Sequence, residues 1–248
     1  MNSSRYINSR FSRCIVMLLI AVALMPGCTT PLQRFPPLDT PTSLGTLAWR
    51  QQQVSTVQAT GTMELTSPDG RGARLEAAMV ANPPTQLRLR GWKFDHAVID
   101  LTLRDGETWV LAAESSANGP GTRPEDAARG LRAVLDLISG SFYQSAVADD
   151  ASATSAKLVF RGLLAEMPVE CTVDRPTLTA RTITATDPES ATTIALDRYQ
   201  MVGGIAWPMR VEVRSPRGSF TLRFTDVELN TELSPAAFSP PGKAVRYP

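Results

Sequence analysis

Between Gly61 and Phe224 the apolar side chains of this chain recur at every second position, segment after segment, with one helical interruption. A period of two places alternate side chains on opposite faces of a pleated strand, so this pattern calls for a sheet with one buried face. Gly61, Met63 and Leu65 alternate with Thr62, Glu64 and Thr66 before the turn residues Ser67-Pro68-Asp69-Gly70. Leu75, Ala77 and Met79 follow, ended by Asn82-Pro83-Pro84, and then Leu87 and Leu89 alternate with Arg88 and Arg90. Ala97, Ile99, Leu101 and Leu103 form the next set, and Asp105-Gly106 turns the chain into a strand on which Trp109 and Leu111 share a face. Five short strands joined by tight turns make an antiparallel meander. A second series runs from Lys157 to Val227, its clearest members being Ile205-Trp207-Met209-Val211-Val213 and Phe220-Leu222-Phe224. Pro208 lacks a backbone N–H and marks an edge or a bulge in its strand.

Two segments carry helical spacing. Thr42 or Ser43 is suited to cap a helix reaching Val54, with Leu44, Leu47 and Ala48 on one stripe. Pro124-Glu125-Asp126 places proline and two acids where a first helical turn favours them. Leu131, Val134, Leu135 and Ile138 then share a face, and Gly140 is a suitable stop. Residues 114–123 and Gln144 to Ala156 are small and polar and read as surface loops. The expected fold is therefore mainly β with helices (α+β). It is a single, strongly curved antiparallel sheet of about ten or eleven strands, a half-open β-barrel whose concave face the helices plug.

The N-terminus has a separate purpose. Arg5, Arg10 and Arg13 precede the uncharged apolar run Ile15 to Leu24, and Gly27 stands immediately before Cys28. That run is short of the roughly 20 residues needed to span a bilayer core. It resembles a bacterial lipobox, although Met25 and Pro26 depart from the usual residues ahead of the glycine. The implied division is a signal peptide over 1–27, a lipidated Cys28 with a proline- and threonine-rich tether over 28–41, and one domain over 42–248. Two or three acyl chains at about 0.8 kcal/mol per CH₂ would make the anchorage almost irreversible.

Composition narrows the chemistry. Loss of residues 1–27 removes three of the 25 basic side chains and none of the 24 acidic ones, leaving a net charge of −2. No concentrated basic face is present, so a nucleic-acid partner is not expected. After processing, Cys171 is the one cysteine besides Cys28, and its alternation with Val169 and Val173 marks it as a buried small hydrophobe. The single histidine, His96, falls in register with Val98 and Asp100 on a polar face. No metal-ligand spacing, nucleophile elbow or phosphate-binding glycine loop occurs. A non-enzymatic protein without metal or cofactor is the expectation.

The inner-face candidates are Leu75, Met79, Leu87, Leu89, Ile99, Leu101, Trp109, Leu111, Trp207 and Met209. Such a face fits both an open cavity that binds an apolar ligand and a dry core beneath the helices. Trp92 and Phe94 lie in the turn Arg90-Gly91-Trp92-Lys93-Phe94-Asp95. There they serve either as an exposed membrane or partner contact or as a cover folded over the sheet opening.

The order of elements, with several short motifs, resembles the LolA/LolB superfamily of periplasmic lipoprotein carriers and acceptors. The motifs are Asn82-Pro83-Pro84-Thr85-Gln86-Leu87-Arg88-Leu89, Leu103-Arg104-Asp105-Gly106-Glu107-Thr108-Trp109, Gly203-Gly204-Ile205-Ala206-Trp207-Pro208-Met209-Arg210-Val211 and Leu233-Ser234-Pro235-Ala236-Ala237-Phe238. The resemblance implies a cavity that receives the acyl chains of lipoproteins or lipids. It also implies an outer-membrane lipoprotein facing the periplasm, with a soluble periplasmic carrier as a protein partner. Anchorage at Cys28 fits the acceptor better than the shuttle, and the Trp92/Phe94 turn is similar in place to the acceptor's protruding loop. The alternative is an envelope interaction or sensor lipoprotein with the same fold and a filled core.

Overall fold

The hairpin turn expected at Asp105-Gly106, and a second one at Gly203-Gly204, organise the sheet. In the computed structural model, which describes residues 30–112, 124–187 and 191–247, Asp105 and Gly106 have φ of 53° and 84°. Gly203 and Gly204 have 55° and 83°. Two successive left-handed residues match the right-handed twist of the flanking strands, so each pair closes a tight antiparallel hairpin. Repetition of this unit gives β1 (Val57–Thr66), β2 (Gly72–Asn82), β3 (Gln86–Lys93), β4 (His96–Arg104) and β5 (Glu107–Ala112). After the helices come β6 (Val147–Ala148), β7 (Lys157–Leu164), β8 (Met167–Asp174), β9 (Thr179–Ala185), β10 (Thr193–Val202), β11 (Ile205–Ser215), β12 (Gly218–Leu229) and β13 (Val245–Tyr247).

All thirteen strands belong to one sheet in the order β13-β5-β4-β3-β2-β1-β12-β11-β10-β9-β8-β7-β6. The two meanders join through antiparallel pairing of β1 with β12, and the sheet stays open between β13 and β6. It is a curved half-barrel. The two strands beyond the expected eleven are the short β13 and β6 at its edges, too brief to show a period. β6 and the short helix before it occupy the start of the segment expected to be loop from Gln144 to Ala156.

Three α-helices are described: α1 (Thr40–Gln52), α2 (Pro124–Ser139) and α3 (Ser141–Ser145). The cap of α1 is Asp39, whose carboxylate accepts from the Thr42 amide at 2.7 Å, so the helix starts ahead of the expected Thr42 or Ser43. Its buried residues are Thr40, Ser43, Leu47 and Arg50, one stripe at three- and four-residue spacing. Part of the segment expected as tether is pinned. The Phe35 amide donates to Pro176 O at 2.8 Å, and Leu38 packs against the core. The described residues from Leu32 onward form one compact unit; the signal segment, Cys28 and residues 114–123 lie outside the described residues.

The core is double. One cluster joins β1–β4 to the α2 residues Leu131, Leu135 and Ile138, and the other joins β7–β10 to α1, α3 and Ala133 of α2. Thus α2 straddles both. Gly61 sits where β1 and β12 shift register, and a Cβ there would stand 2.0 Å from Arg223 O. Only glycine admits that approach, so Gly61→Ala is expected to cost about 1–3 kcal/mol in urea unfolding, toward the upper end because backbone must move.

Candidate functional site

A cavity of about 640 Å³ lies between the two clusters, within the ~300–1,000 Å³ range of ligand-binding sites. The sheet supplies Val211, Val213, Phe220, Leu222 and Phe224 from β11 and β12, and Ile194 and Leu196 from β10. Strand register explains their convergence: Val213 pairs with Ile194 on one side and Phe220 on the other, and Val211 pairs with Leu196 and Leu222. Directly paired residues share a face. The helices supply Leu47 of α1 and Ala133, Val134, Leu137 and Ile138 of α2 as the opposite wall.

The two ends differ. At one end the exposed Arg71 and Arg217, in the β1–β2 and β11–β12 turns, form a rim with Gly72 at the start of β2. At the other, the buried Leu47, Arg50, Tyr143 and Leu178 close the cavity. β9 runs between them from Thr179, which lines the closed end, to Thr184, which pairs with Thr193 beside the rim. At about 3.3 Å per residue these are roughly 17 Å apart. The closed end has polar groups of its own. Arg50 stacks on Phe35 with its guanidinium 4.9 Å from the ring centroid, and its Nη1 donates to Leu178 O at 3.1 Å. Tyr199 donates to Ala180 O at 2.6 Å. Burial raises the Tyr143 and Tyr199 phenols above their ordinary range and pushes the Cys171 thiol up to about 12. These groups are neutral at physiological pH.

Of the residues expected on the inner wall, Met79 and Trp207 line the cavity. Trp207 is buried, and its Nε1 finds no acceptor among the described residues. Leu75, Leu87, Leu89, Leu101 and Met209 are buried in the first cluster, and Ile99 packs against it. They face inward but lie in a filled core rather than at the cavity.

Trp109 and Leu111 lie on the opposite face, a correction to the expected wall. They pair with Thr102 and Asp100, whereas Thr108 and Val110 pair with the inward Leu103 and Leu101. Alternation separates two faces of β5 without saying which is inner, and the larger side chains are on the outer one. On that convex face Asp100 is 1% exposed, gripped by Arg88 (2.9 and 2.7 Å) and Arg90 (3.1 Å). The C-terminal 3-10 turn Pro235–Phe238 covers it, with Arg88 also donating to Ala237 O at 3.1 Å.

Phe94 and Trp92 part company. Phe94 is 84% exposed at the tip of the β3–β4 turn with φ of 51°, an uncommon backbone for a bulky residue. Trp92 is half-buried, its indole N–H donating to Glu76 at 2.6 Å. Neither covers the cavity. A register shift between Gly91 and Trp92 leaves Val98 as an extra residue, so His96 is out of step with Asp100; His96 is exposed. Among the described residues no cluster of three or more His, Cys, Asp or Glu side chains could hold a metal ion, and no helix is long and apolar enough to cross a membrane.

Arg50, Val211, Val213, Phe220, Leu222 and Phe224 were not among the candidates. The last five were visible as alternating sets, and Arg50 as a cation three residues after Leu47 on an apolar stripe.

No family model matches the chain, and no curated protein matches it in sequence. Its fold matches solved structures. A LolA superfamily protein from Nitrosomonas europaea has a TM-score of 0.56 at 9% identity, over 79% of this chain and 97% of that one. A DUF1329 family protein from Desulfovibrio piger gives 0.55 at 13% identity, over 82% and 98%. A domain from Vibrio parahaemolyticus, described as an outer membrane lipoprotein-sorting protein domain, gives 0.54 at 10% identity, over 79% and 94%. At such identities the shared property is the fold alone, a curved half-barrel that this chain has in common with these structures.

Proposed function

Proceeding from that shared fold, we propose that the protein is a non-catalytic lipoprotein of the bacterial outer membrane, facing the periplasm. In this reading it is anchored through Cys28 and takes acyl chains of lipoproteins or lipids into its cavity to accept or transfer them. The observation that carries the reading is the cavity itself, an unfilled space walled by aliphatic and aromatic side chains between a concave sheet and helices. Each CH₂ moved into it from water contributes about 0.8 kcal/mol. A fluorescent acyl probe titrated into the domain from Thr29 onward is expected to bind saturably and to be displaced by unlabelled lipid. A folded domain without saturable binding would remove the proposal. Anchorage is tested separately: Cys28→Ser is expected to release the protein from the membrane fraction.

Phe94 supports a contact at the open end. The β3–β4 turn lies at the same end of the sheet as the β1–β2 and β11–β12 turns of the rim, because β3 ends opposite the early part of β2 (Glu76 pairs with Trp92). An exposed aromatic held in a left-handed backbone fits docking on a membrane or a soluble carrier. Phe94→Ser is expected to slow acyl transfer between the protein and vesicles or a carrier, while probe affinity is unchanged and stability moves by less than about 0.5 kcal/mol. Transfer at the wild-type rate would exclude this role.

A further inference from the structure

Arg50 is a buried cation without a carboxylate. It is 7% exposed, and among the described residues its hydrogen bonds run only from Nη1, to the carbonyls of Leu178 (3.1 Å) and Thr177 (3.5 Å). Among the described residues no Asp or Glu lies within ion-pair distance of it, whereas Arg88, Arg161, Arg210 and Arg223 all have such partners. Burial lowers its pKa, and the phenols beside it, Tyr143 and Tyr199, are neutral and supply no counter-charge. Leaving a guanidinium desolvated is costly unless an anion joins it. The side chain lines the closed end of the cavity, roughly 17 Å along β9 from the rim residues.

We infer that the closed end is an oxyanion subsite, and that the cavity accepts a single-chain acyl amphiphile head first, its terminal carboxylate or phosphate meeting the Arg50 guanidinium while the chain runs toward the rim. This rests on the proposed acyl-binding cavity and narrows its ligand to a free lipid, since the acyl chains of a lipoprotein are joined to protein at the head and cannot enter head first. The guanidinium offers a planar fork of donors matched to an oxyanion, and its bonds to the described residues use only Nη1. The Tyr143 phenol, neutral because it is buried, lines the same end and adds no negative charge to compete with the ligand's, its O–H being turned to the buried Cys171 sulfur. Stacking on Phe35 and the bond to Leu178 hold the fork in place without neutralising it.

The test compares palmitate, a palmitoyl lysophosphatidate and methyl palmitate as competitors of a bound fluorescent acyl probe, in the wild-type domain and in Arg50→Gln and Arg50→Lys. Wild type is expected to bind at least one of the two anions ten-fold or more tightly than the ester; which one is preferred identifies the head. In Arg50→Gln the preference should fall to near unity with ester affinity unchanged, and Arg50→Lys should restore most of it. Equal binding of anions and ester by wild type, or a preference that survives in Arg50→Gln, would overturn the subsite while leaving acyl binding intact. Binding of none of the three by a folded domain would overturn both. Should Arg50→Gln not fold, carbon-13 NMR of carboxyl-labelled palmitate on wild type decides. A bound carboxylate that stays ionised below the pH at which a free carboxyl titrates supports the subsite, and one that protonates at or above it refutes it.

Discussion

Asp100→Ala is expected to destabilise the domain by about 3–5 kcal/mol in urea unfolding, the largest loss we anticipate from any single truncation outside the apolar core. The carboxylate is 1% exposed and receives Arg88 through both oxygens and Arg90 through one. Its removal strands Arg88, itself 12% exposed in its side chain, beneath the turn that carries Ala237 and Phe238. The C-terminal segment should then loosen, seen as faster proteolysis beyond Thr231. A contrast is available in Arg104, whose pairing with Asp105 involves side chains 46% and 67% exposed. Arg104→Ala should change stability by no more than about 1 kcal/mol, because solvent screens exposed pairs. Equal effects of the two substitutions would mean that the convex face is not sealed by the C-terminal turn.

Val213→Glu is expected to weaken acyl binding at least ten-fold, or about 1.4 kcal/mol, while the domain stays folded. Val213 is partly buried in the cavity wall between Ile194 and Phe220, so a carboxylate there keeps access to water in the empty cavity. An acyl chain entering would strip that water away, and a desolvated charge opposes it. Leu101→Glu is different in kind. Leu101 is 7% exposed in the cluster beneath α2, and its substitution is expected to unfold the domain rather than to block a site. Normal probe binding by a folded Val213→Glu would place the ligand elsewhere.

The period of two in β1–β5 and in β11–β12 was legible because each strand buries one face, and turn residues between them marked the hairpins. Alternation does not say which face is inner. Trp109 and Leu111 look like core residues by size, yet register with β4 assigns that place to Thr108 and Val110. Asp100 and Arg88 looked like solvated outer residues until the C-terminal turn, more than 130 residues away in the chain, was seen to cover them. The cavity was legible only as an apolar face. Whether such a face is filled depends on how α2 is shared between two clusters, and no local pattern carries that. Arg50 was hidden for the opposite reason: a cation on a helix normally reads as solvated, and its burial comes from Phe35 and the β8–β9 turn packing over it.

Native mass spectrometry of the domain from Thr29 onward, purified from cells and then mixed with acyl lipid, tests the central claim most directly. The account predicts a lipid adduct that co-purifies or is taken up at one equivalent and is lost in Val213→Glu. A folded domain that carries no lipid and takes none up would contradict it.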